Sequence, residues 1–433
     1  MTDIREIFSH RVRSASLARR KLPFIRVRDE ARTQVFDGLF NTETTITDRV
    51  IYIHIPYCKN ICSFCMYTKQ KISDYPLLAK YFNAILSEIR SLANTPYIKS
   101  AHFKAIYFGG GTPTSVPAQF LVSVISELKK NFLLTHNCEI TVESTVSEIN
   151  SAYLSELIDA GVNRISFGVQ TFDNEIRKNL GRISDKQQIS DTIKLIKQGG
   201  INNICIDLIY NLEGQNSVKW EEDLSFLRTL AVTGCSVYPL IMNPNNPTDK
   251  FTEKENIFKE YSYFLQAEES LLSIPLWIST TPVQYCNSET GSAVYVSSHG
   301  QNPDLLAFGA GAGGRIGNAQ YLMTANTNRY SEGDGIFRNQ SSGLMTIDDT
   351  FLKFRKIFNL SEGLSINNSE YQLIKDYFCE IISELENKSL LLFENDSINL
   401  TLDGKFWAGN ISELFAERIK ELLPPWGKVG KGV

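Results

Sequence analysis

The sequence predicts an α/β fold: a partial (β/α)6 TIM-like barrel with an N-terminal arm and a C-terminal, mostly helical accessory domain. Three observations predict it. Short apolar runs alternate with helix-spaced segments from about residue 49 to residue 240. A cysteine-rich loop and a glycine-rich turn each directly follow one of these runs. The stretch Met242-Asn-Pro-Asn-Asn-Pro-Thr248 then ends the alternation, and the 433-residue length leaves room for two or three domains of roughly 150 residues.

Element by element, Ile51–Ile55 reads as a strand and residues 75–93 as a helix. Ala105–Phe108 is a short buried strand, followed by a glycine turn and a helix from about Pro117 to Phe132. Strands at 138–143, 164–169, 203–209 and 235–240 alternate with helices at 151–160, 185–198 and 217–230. Six such units suffice for a partial barrel but not for the closed eight. A helix is expected over 253–272, and the last ~85 residues read as helices with a short strand pair around Leu391–Leu402. The expected divisions are an arm at 1–48, a barrel core at 49–245, an extension with a second glycine-rich loop at 246–345, and the C-terminal domain at 346–433.

Composition narrows the function classes. Hydrophobic residues make 42% and charged residues 21%, an ordinary globular balance. The net charge of −4 argues against a dedicated nucleic-acid binder. No run of 18 apolar residues predicts a membrane span, and the N-terminus lacks the apolar segment of a secretory signal. The charge is uneven: residues 1–32 carry +5 and the remainder −9. Such an arm either holds an anionic ligand or is a solvated extension. Eight cysteines are too few for a disulfide scaffold and point to a reducing, cytoplasmic compartment. Three fall within eight residues, whereas Cys138, Cys205, Cys235, Cys286 and Cys379 are scattered. The first three of those five sit in or beside expected strands, where a thiol behaves as a small hydrophobe.

The cluster reads His54-Ile-Pro-Tyr-Cys58-Lys-Asn-Ile-Cys62-Ser-Phe-Cys65, a C-x3-C-x2-C loop after a strand. Structural zinc usually takes four ligands, and Met66 and Tyr67 offer no fourth. Three thiolates suit a [4Fe-4S] cluster with one iron open to an amino and a carboxylate group, as S-adenosylmethionine (SAM) presents. A zinc knuckle lacking one ligand and three buried thiols are the other readings. The turn Gly109-Gly-Gly111-Thr-Pro-Thr114 ends the second strand, so both loops land on the C-terminal rim where parallel sheets bind ligands. Glycines there let the backbone approach a ligand closely.

This pattern resembles the radical SAM superfamily over roughly residues 49–240. The finer match is to the branch of the oxygen-independent coproporphyrinogen III dehydrogenases (HemN-like). It is carried by Tyr52-Ile-His54-Ile-Pro-Tyr-Cys58, Phe108-Gly-Gly-Gly-Thr-Pro113, Glu143, Phe167-Gly-Val-Gln170-Thr-Phe172, Arg182 and Asp207-Leu-Ile-Tyr210. The resemblance implies that Cys58, Cys62 and Cys65 hold the cluster and that Gly110, Gly111 and Thr112 bind the methionyl amino group of SAM. It implies that Gln170 and Asp207 meet the ribose hydroxyls and that Arg182 pairs with the SAM carboxylate. Glu143 would lie near the sulfonium and amino group, and Tyr52 near cluster and substrate, both with catalytic parts.

Departures narrow the branch. The dehydrogenases carry a further cysteine where this chain has Tyr67, and the haem chaperones of the branch carry Asp-Phe where it has Met66-Tyr67. The usual Gly-Leu-Pro-Gly-Gln is here Asn211-Leu-Glu-Gly-Gln215. Cys65-Met-Tyr-Thr-Lys-Gln70, Phe308-Gly-Ala-Gly-Ala-Gly-Gly314 and Leu400-Thr-Leu-Asp-Gly-Lys-Phe-Trp407-Ala-Gly-Asn-Ile411 are similar to the anaerobic haem-degrading class C methyltransferases. That resemblance implies one or two SAM molecules, a tetrapyrrole such as haem or another aromatic substrate, and a low-potential donor of flavodoxin or ferredoxin type. Gly309 and Gly311 are then candidate walls of a second SAM or substrate site. Arg11, Arg13, Arg19 and Arg20 are candidate partners for propionates, and His10 and His299 candidate haem ligands. The alternatives are methylation of a heteroaromatic or peptide product, a coproporphyrinogen dehydrogenase, and a non-catalytic haem chaperone.

Overall fold

The computed structural model describes residues 7–13, 25–65, 69–72, 74–241, 253–291, 293–300, 303–337, 341–346, 366–394 and 397–422. Six βα units follow one another as read from the sequence: β1 (Arg49–Ile55), α1 (Tyr75–Leu92), β2 (Phe103–Gly110), α2 (Ala118–Asn131), β3 (Leu134–Ser144), α3 (Ser151–Asp159), β4 (Arg164–Gln170), α4 (Lys186–Gln198), β5 (Asn203–Tyr210), α5 (Ser217–Thr229), β6 (Gly234–Pro239) and α6 (Glu253–Leu272). The helix starts explain themselves. Asp74, Asn150 and Asn216 each accept a hydrogen bond from a first-turn amide, and Asp185 with Gln188 forms a full capping box.

Strands β1 to β6 are parallel in sequence order, with Ile51 beside Ile106 and Ile106 beside Ile140. Helices cover them, so their apolar runs are continuous rather than alternating: six of seven β1 residues are buried. Downstream come β7 (Trp277–Thr281), β8 (Gln284–Asn287), α7 (Val294–Gly300), β9 (Asp304–Phe308), β10 (Gly313–Ile316), β11 (Ala319–Met323) and β12 (Ser341–Thr346). Strand β9 adds a seventh parallel strand, on the free side of β1. The sheet then continues antiparallel through β10, β11 and β12 at one end and through β8 and β7 at the other. The structure thus bears out the partial barrel and widens it by β9. The turn read at 242–248 lies outside the described residues.

The C-terminal part holds α8 (Asn368–Asn387), α9 (Ala408–Leu422) and the hairpin Leu391–Glu394 with Ser397–Leu400, to which Ile366–Asn367 adds a third strand. Among the described residues no helix is long and apolar enough to cross a membrane.

One expectation about the arm is corrected. Arg11 and Arg13 are not presented to a ligand. Arg11 is buried, donates to Glu260 at 2.6 Å, to the Tyr210 hydroxyl at 3.2 Å and to the Phe406 carbonyl at 3.3 Å, and stacks over the Phe406 ring. Arg13 donates to the other Glu260 oxygen at 2.8 Å. A buried guanidinium must be paired, and here the body of the protein supplies the partner. Asn410 grips the same segment through the Val12 amide and the His10 carbonyl. The helix Asp29–Phe40 packs its Phe36 and Phe40 into the main core, so residues 25–40 are part of the fold. Arg19 and Arg20 lie outside the described residues.

Candidate active site

The ends of β1 to β6 open on one cavity of about 430 Å³. Its wall includes Cys58, Cys62 and Cys65, the turn Gly110-Gly111-Thr112, Glu143, Gln170, Arg182 and Asp207. These residues, scattered over 150 positions of sequence, meet because parallel register puts each strand end on one rim.

The cysteine loop is tied to the glycine turn by backbone. The Gly111 amide donates to the Ile55 carbonyl and the Thr112 amide to Tyr57, both at 2.8 Å. A side chain at Gly111 would strike the Tyr57 carbonyl, and one at Gly110, where φ is +117°, would strike the His54 ring. The Thr112 hydroxyl lies 3.7 Å from the Cys58 sulfur. Lys69 donates to the Cys65 carbonyl at 2.6 Å. Burial raises the thiols of Cys58 and Cys62, while the Arg182 charge pulls both back down; the Thr112 hydroxyl adds to this at Cys58 and Lys69 at Cys62.

Glu143 closes β3. Its carboxylate accepts from the Tyr107 hydroxyl at 2.7 Å and from the Gly110 amide at 3.2 Å. Burial pushes it up to about 7, with the nearby Asp207 charge adding to the rise; the Tyr107 and Gly110 donors and Arg164 oppose it. Asp207 on β5 is pushed up to about 6, again by burial, against Ser236, Arg164 and Arg182. Gln170 sits at a register shift at the end of β4 with φ +75°, a conformation costly for a residue with a side chain. That twist brings its amide next to Gly168, where a Cβ would lie 2.8 Å from the Gln170 nitrogen and 3.3 Å from the Arg182 guanidinium.

Do these residues fit an iron–sulfur cluster and SAM? Among the described residues no three His, Cys, Asp or Glu side chains converge as a single metal ion requires. Yet the three thiols share one cavity wall, as a larger cluster needs. Arg182 brings a cation beside them, and its Nε is buried without a hydrogen-bond partner. The donor set therefore fits both groups: soft sulfur on one side, a cation for a carboxylate, and two carboxylates that could meet the cationic and hydroxyl parts of a nucleoside sulfonium.

The remaining expectations fall differently. Tyr52 is part-buried on β1 and is not among the residues of the cavity wall; its hydroxyl lies 2.9 Å from His54 Nδ1 and its ring stacks with Tyr107, which does line the cavity, and with Tyr295. Gly309 and Gly311 are not brought to the cavity wall. The Gly309 amide donates to the Tyr330 hydroxyl and the Ala310 amide to Tyr81, whose own hydroxyl donates to the His54 carbonyl at 2.7 Å. The loop is thus a buried joint between β9 and β1. His10 is exposed beside Glu413 at 3.5 Å. The side chain of His299 and Met66-Tyr67 lie outside the described residues. Cys138, Cys205 and Cys235 are buried in strands as read, Cys286 is half-buried and Cys379 is exposed.

Arg164 and Tyr107 are among the cavity residues that escaped the sequence reading. Arg164 opens β4, is 3% exposed, donates weakly to Thr141 at 3.4 Å and leaves its Nε without a partner. Tyr107 faces Glu143. Arg164 had a signal, a lone charge at the head of an apolar strand; Tyr107 reads as plain strand packing.

Residues 52–227, which carry this site, match the family model described as Radical SAM superfamily. The match spans about two fifths of the chain, and proteins of that superfamily use a [4Fe-4S] cluster and SAM. The chain is similar to the anaerobilin synthase of Escherichia coli O157:H7, 28% identical over 417 residues, covering 94% of this chain and 93% of that one. It is also similar to the heme chaperone HemW of Bacillus subtilis (strain 168), 27% identical over 388 residues, covering 86% and 99%. The solved coproporphyrinogen III oxidase (HemN) from Escherichia coli shares the fold, with TM-score 0.75 at 23% identity over 88% of this chain and 93% of that one.

Proposed function

We propose that this chain is a radical SAM methyltransferase acting on a tetrapyrrole, with haem opened anaerobically as the leading reaction. The observation that carries the radical SAM part is the gathering of Cys58, Cys62, Cys65, Arg182, Glu143 and Asp207 around one cavity. The haem part is supported by the similarity to an anaerobilin synthase along 94% of the chain. When bound, the cluster would supply one low-potential electron and SAM would supply an adenosyl radical and a methyl group. The three cysteines would anchor the cluster, and Arg182 would pair with the SAM carboxylate in a charge-assisted bond. Glu143 would take the SAM amino group, Gln170 and Asp207 the ribose, and Gly110, Gly111 and Thr112 the methionyl end. Tyr52 would border the substrate. The electron donor would be a flavodoxin- or ferredoxin-type protein in the cytoplasm.

The HemW relatives favour a second reading, a chaperone that holds haem without turning it over. Anaerobic incubation with reductant, SAM and haem, followed by mass spectrometry, separates the readings. Deoxyadenosine together with S-adenosylhomocysteine supports methyl transfer. Deoxyadenosine alone indicates dehydrogenase-type chemistry, and intact haem with neither product indicates the chaperone.

A further inference from the structure

We propose that Tyr107 is a positioning residue for Glu143, holding its carboxylate aimed at a cationic ligand group, and that Tyr295 in turn holds Tyr107. The inference rests on the reading that Glu143 receives the SAM amino group, and it adds two residues that neither composition nor motif pointed to.

The geometry is a chain of contacts across the barrel interior. The Tyr107 hydroxyl donates to Glu143 Oε1 at 2.7 Å, while the Gly110 amide donates to Oε2 at 3.2 Å. Both donors belong to β2, so one strand fixes both carboxylate oxygens. Tyr107 is 8% exposed and cannot swing freely. Its ring is stacked on Tyr295 at 4.3 Å between centroids and 25° between planes. Tyr295 comes from the first turn of α7, and the Glu139 carboxylate accepts from the amides of Val294 and Tyr295 at 2.8 and 3.2 Å. The same ring stacks on Tyr52 at 6.0 Å. The three tyrosines thus pack as one block, and the Tyr107 hydroxyl reaches the carboxylate.

The electrostatics agree with this geometry. Facing Glu143 are Tyr107 and the Gly110 amide from β2, Arg164 from β4 and Asp207 from β5. Burial and Asp207 favour the neutral acid. Tyr107, Gly110 and Arg164 favour the charged form that an ammonium needs. A donor to the ionised state is the term that Tyr107→Phe removes while leaving the ring in place.

The test is SAM binding by equilibrium dialysis to the cluster-loaded protein, from about pH 6 to about pH 9, expressed as the variant-to-wild-type ratio of Kd so that ionisation of SAM cancels. Loss of the hydrogen bond raises the Glu143 pKa by roughly one unit. Tyr107→Phe should therefore weaken binding about tenfold near pH 6, falling toward parity near pH 9. Tyr295→Leu, which removes the stack, should follow in the same direction by a smaller factor. A Tyr107→Phe ratio that stays at one, or is the same at every pH, overturns the proposal. Glu143→Gln distinguishes the underlying reading: if it binds SAM as tightly as wild type at every pH, Glu143 does not meet SAM, and the reading and the proposal fall together. If it weakens binding while Tyr107→Phe does not, the proposal alone falls.

Discussion

Arg11 donates to Glu260 at 2.6 Å in the interior of the protein, joining the N-terminal segment to α6. Arg13 and Asn211 reach the second Glu260 oxygen at 2.8 and 3.3 Å. Asn211 is the residue after β5 and has φ +67°. The arm therefore braces the loop that follows Asp207. Removing Glu260 leaves Arg11 buried without its carboxylate, at a cost of roughly 3–5 kcal/mol, whereas removing Arg11 leaves Glu260 still paired with Arg13. Glu260→Gln should lower the denaturant midpoint accordingly and Arg11→Met by less, and Arg11→Met/Arg13→Met/Glu260→Met should recover much of the loss. Single variants that unfold like wild type would show that the pair does not brace the fold.

Gly309 predicts a position-specific glycine effect. Its φ is +99° and a Cβ would overlap the His54 carbonyl. Gly317 also has positive φ, at +54°, but nothing lies within 4 Å of its Cβ position. Gly317→Ala should cost about 1 kcal/mol from backbone strain alone. Gly309→Ala should cost several times more and should disturb iron incorporation, because His54 leads into the cysteine loop. Equal melting temperatures for the two variants would contradict this.

The carboxylates set a pH dependence of stability. Glu143 is raised from 4.5 to about 7, and Asp207 from 3.8 to about 6. A raised acid binds more protons folded than unfolded, so its destabilisation is absent below the unfolded pKa and grows as pH rises to the folded one. Without SAM, Glu143→Gln should therefore stabilise the protein by about 3 kcal/mol near pH 8 and by almost nothing near pH 4. Thermal melts at both pH values check this. A variant that gains nothing at the higher pH would show that the carboxylate is not under strain.

Arg182 should behave as a ligand residue rather than a structural one. Its buried Nε lacks a partner, and its ring contact, to Phe64, is loose at 5.6 Å. A charge-assisted bond is worth roughly 1.5–3 kcal/mol, so Arg182→Gln should weaken SAM binding by about 10- to 100-fold. The melting temperature without SAM should hardly move. A large fall in melting with unchanged binding would assign the residue to the scaffold.

Much of this architecture was legible because its signals are local. A strand ending at Ile55 and a helix from residue 75 follow from periodicity, and Cys58, Cys62 and Cys65 lie within one loop. What stayed hidden depends on register. That Tyr107 meets Glu143 follows from Tyr107 pairing with Thr141, two residues before it on the next strand, a relation the sequence does not contain. Arg164 likewise gains its meaning from lying opposite Thr141 and Asn203. The arm misled for a different reason. A basic segment reads as solvated or ligand-seeking unless its acid partner is known, and Glu260 lies 249 residues away from Arg11. Gly309-Ala-Gly311 reads equally well as a ligand loop or a tight joint, and the packing of Tyr81 and Tyr330 decides for the joint.

The most direct test of the proposed chemistry follows the methyl carbon. The protein, loaded with iron and sulfide and reduced without oxygen, is given haem and SAM isotope-labelled in its methyl carbon. The account predicts a tetrapyrrole product that carries the label, formed together with deoxyadenosine and lost in a Cys62→Ala variant. Deoxyadenosine formed with no label in any tetrapyrrole, or haem returned intact beside uncleaved SAM, would contradict it.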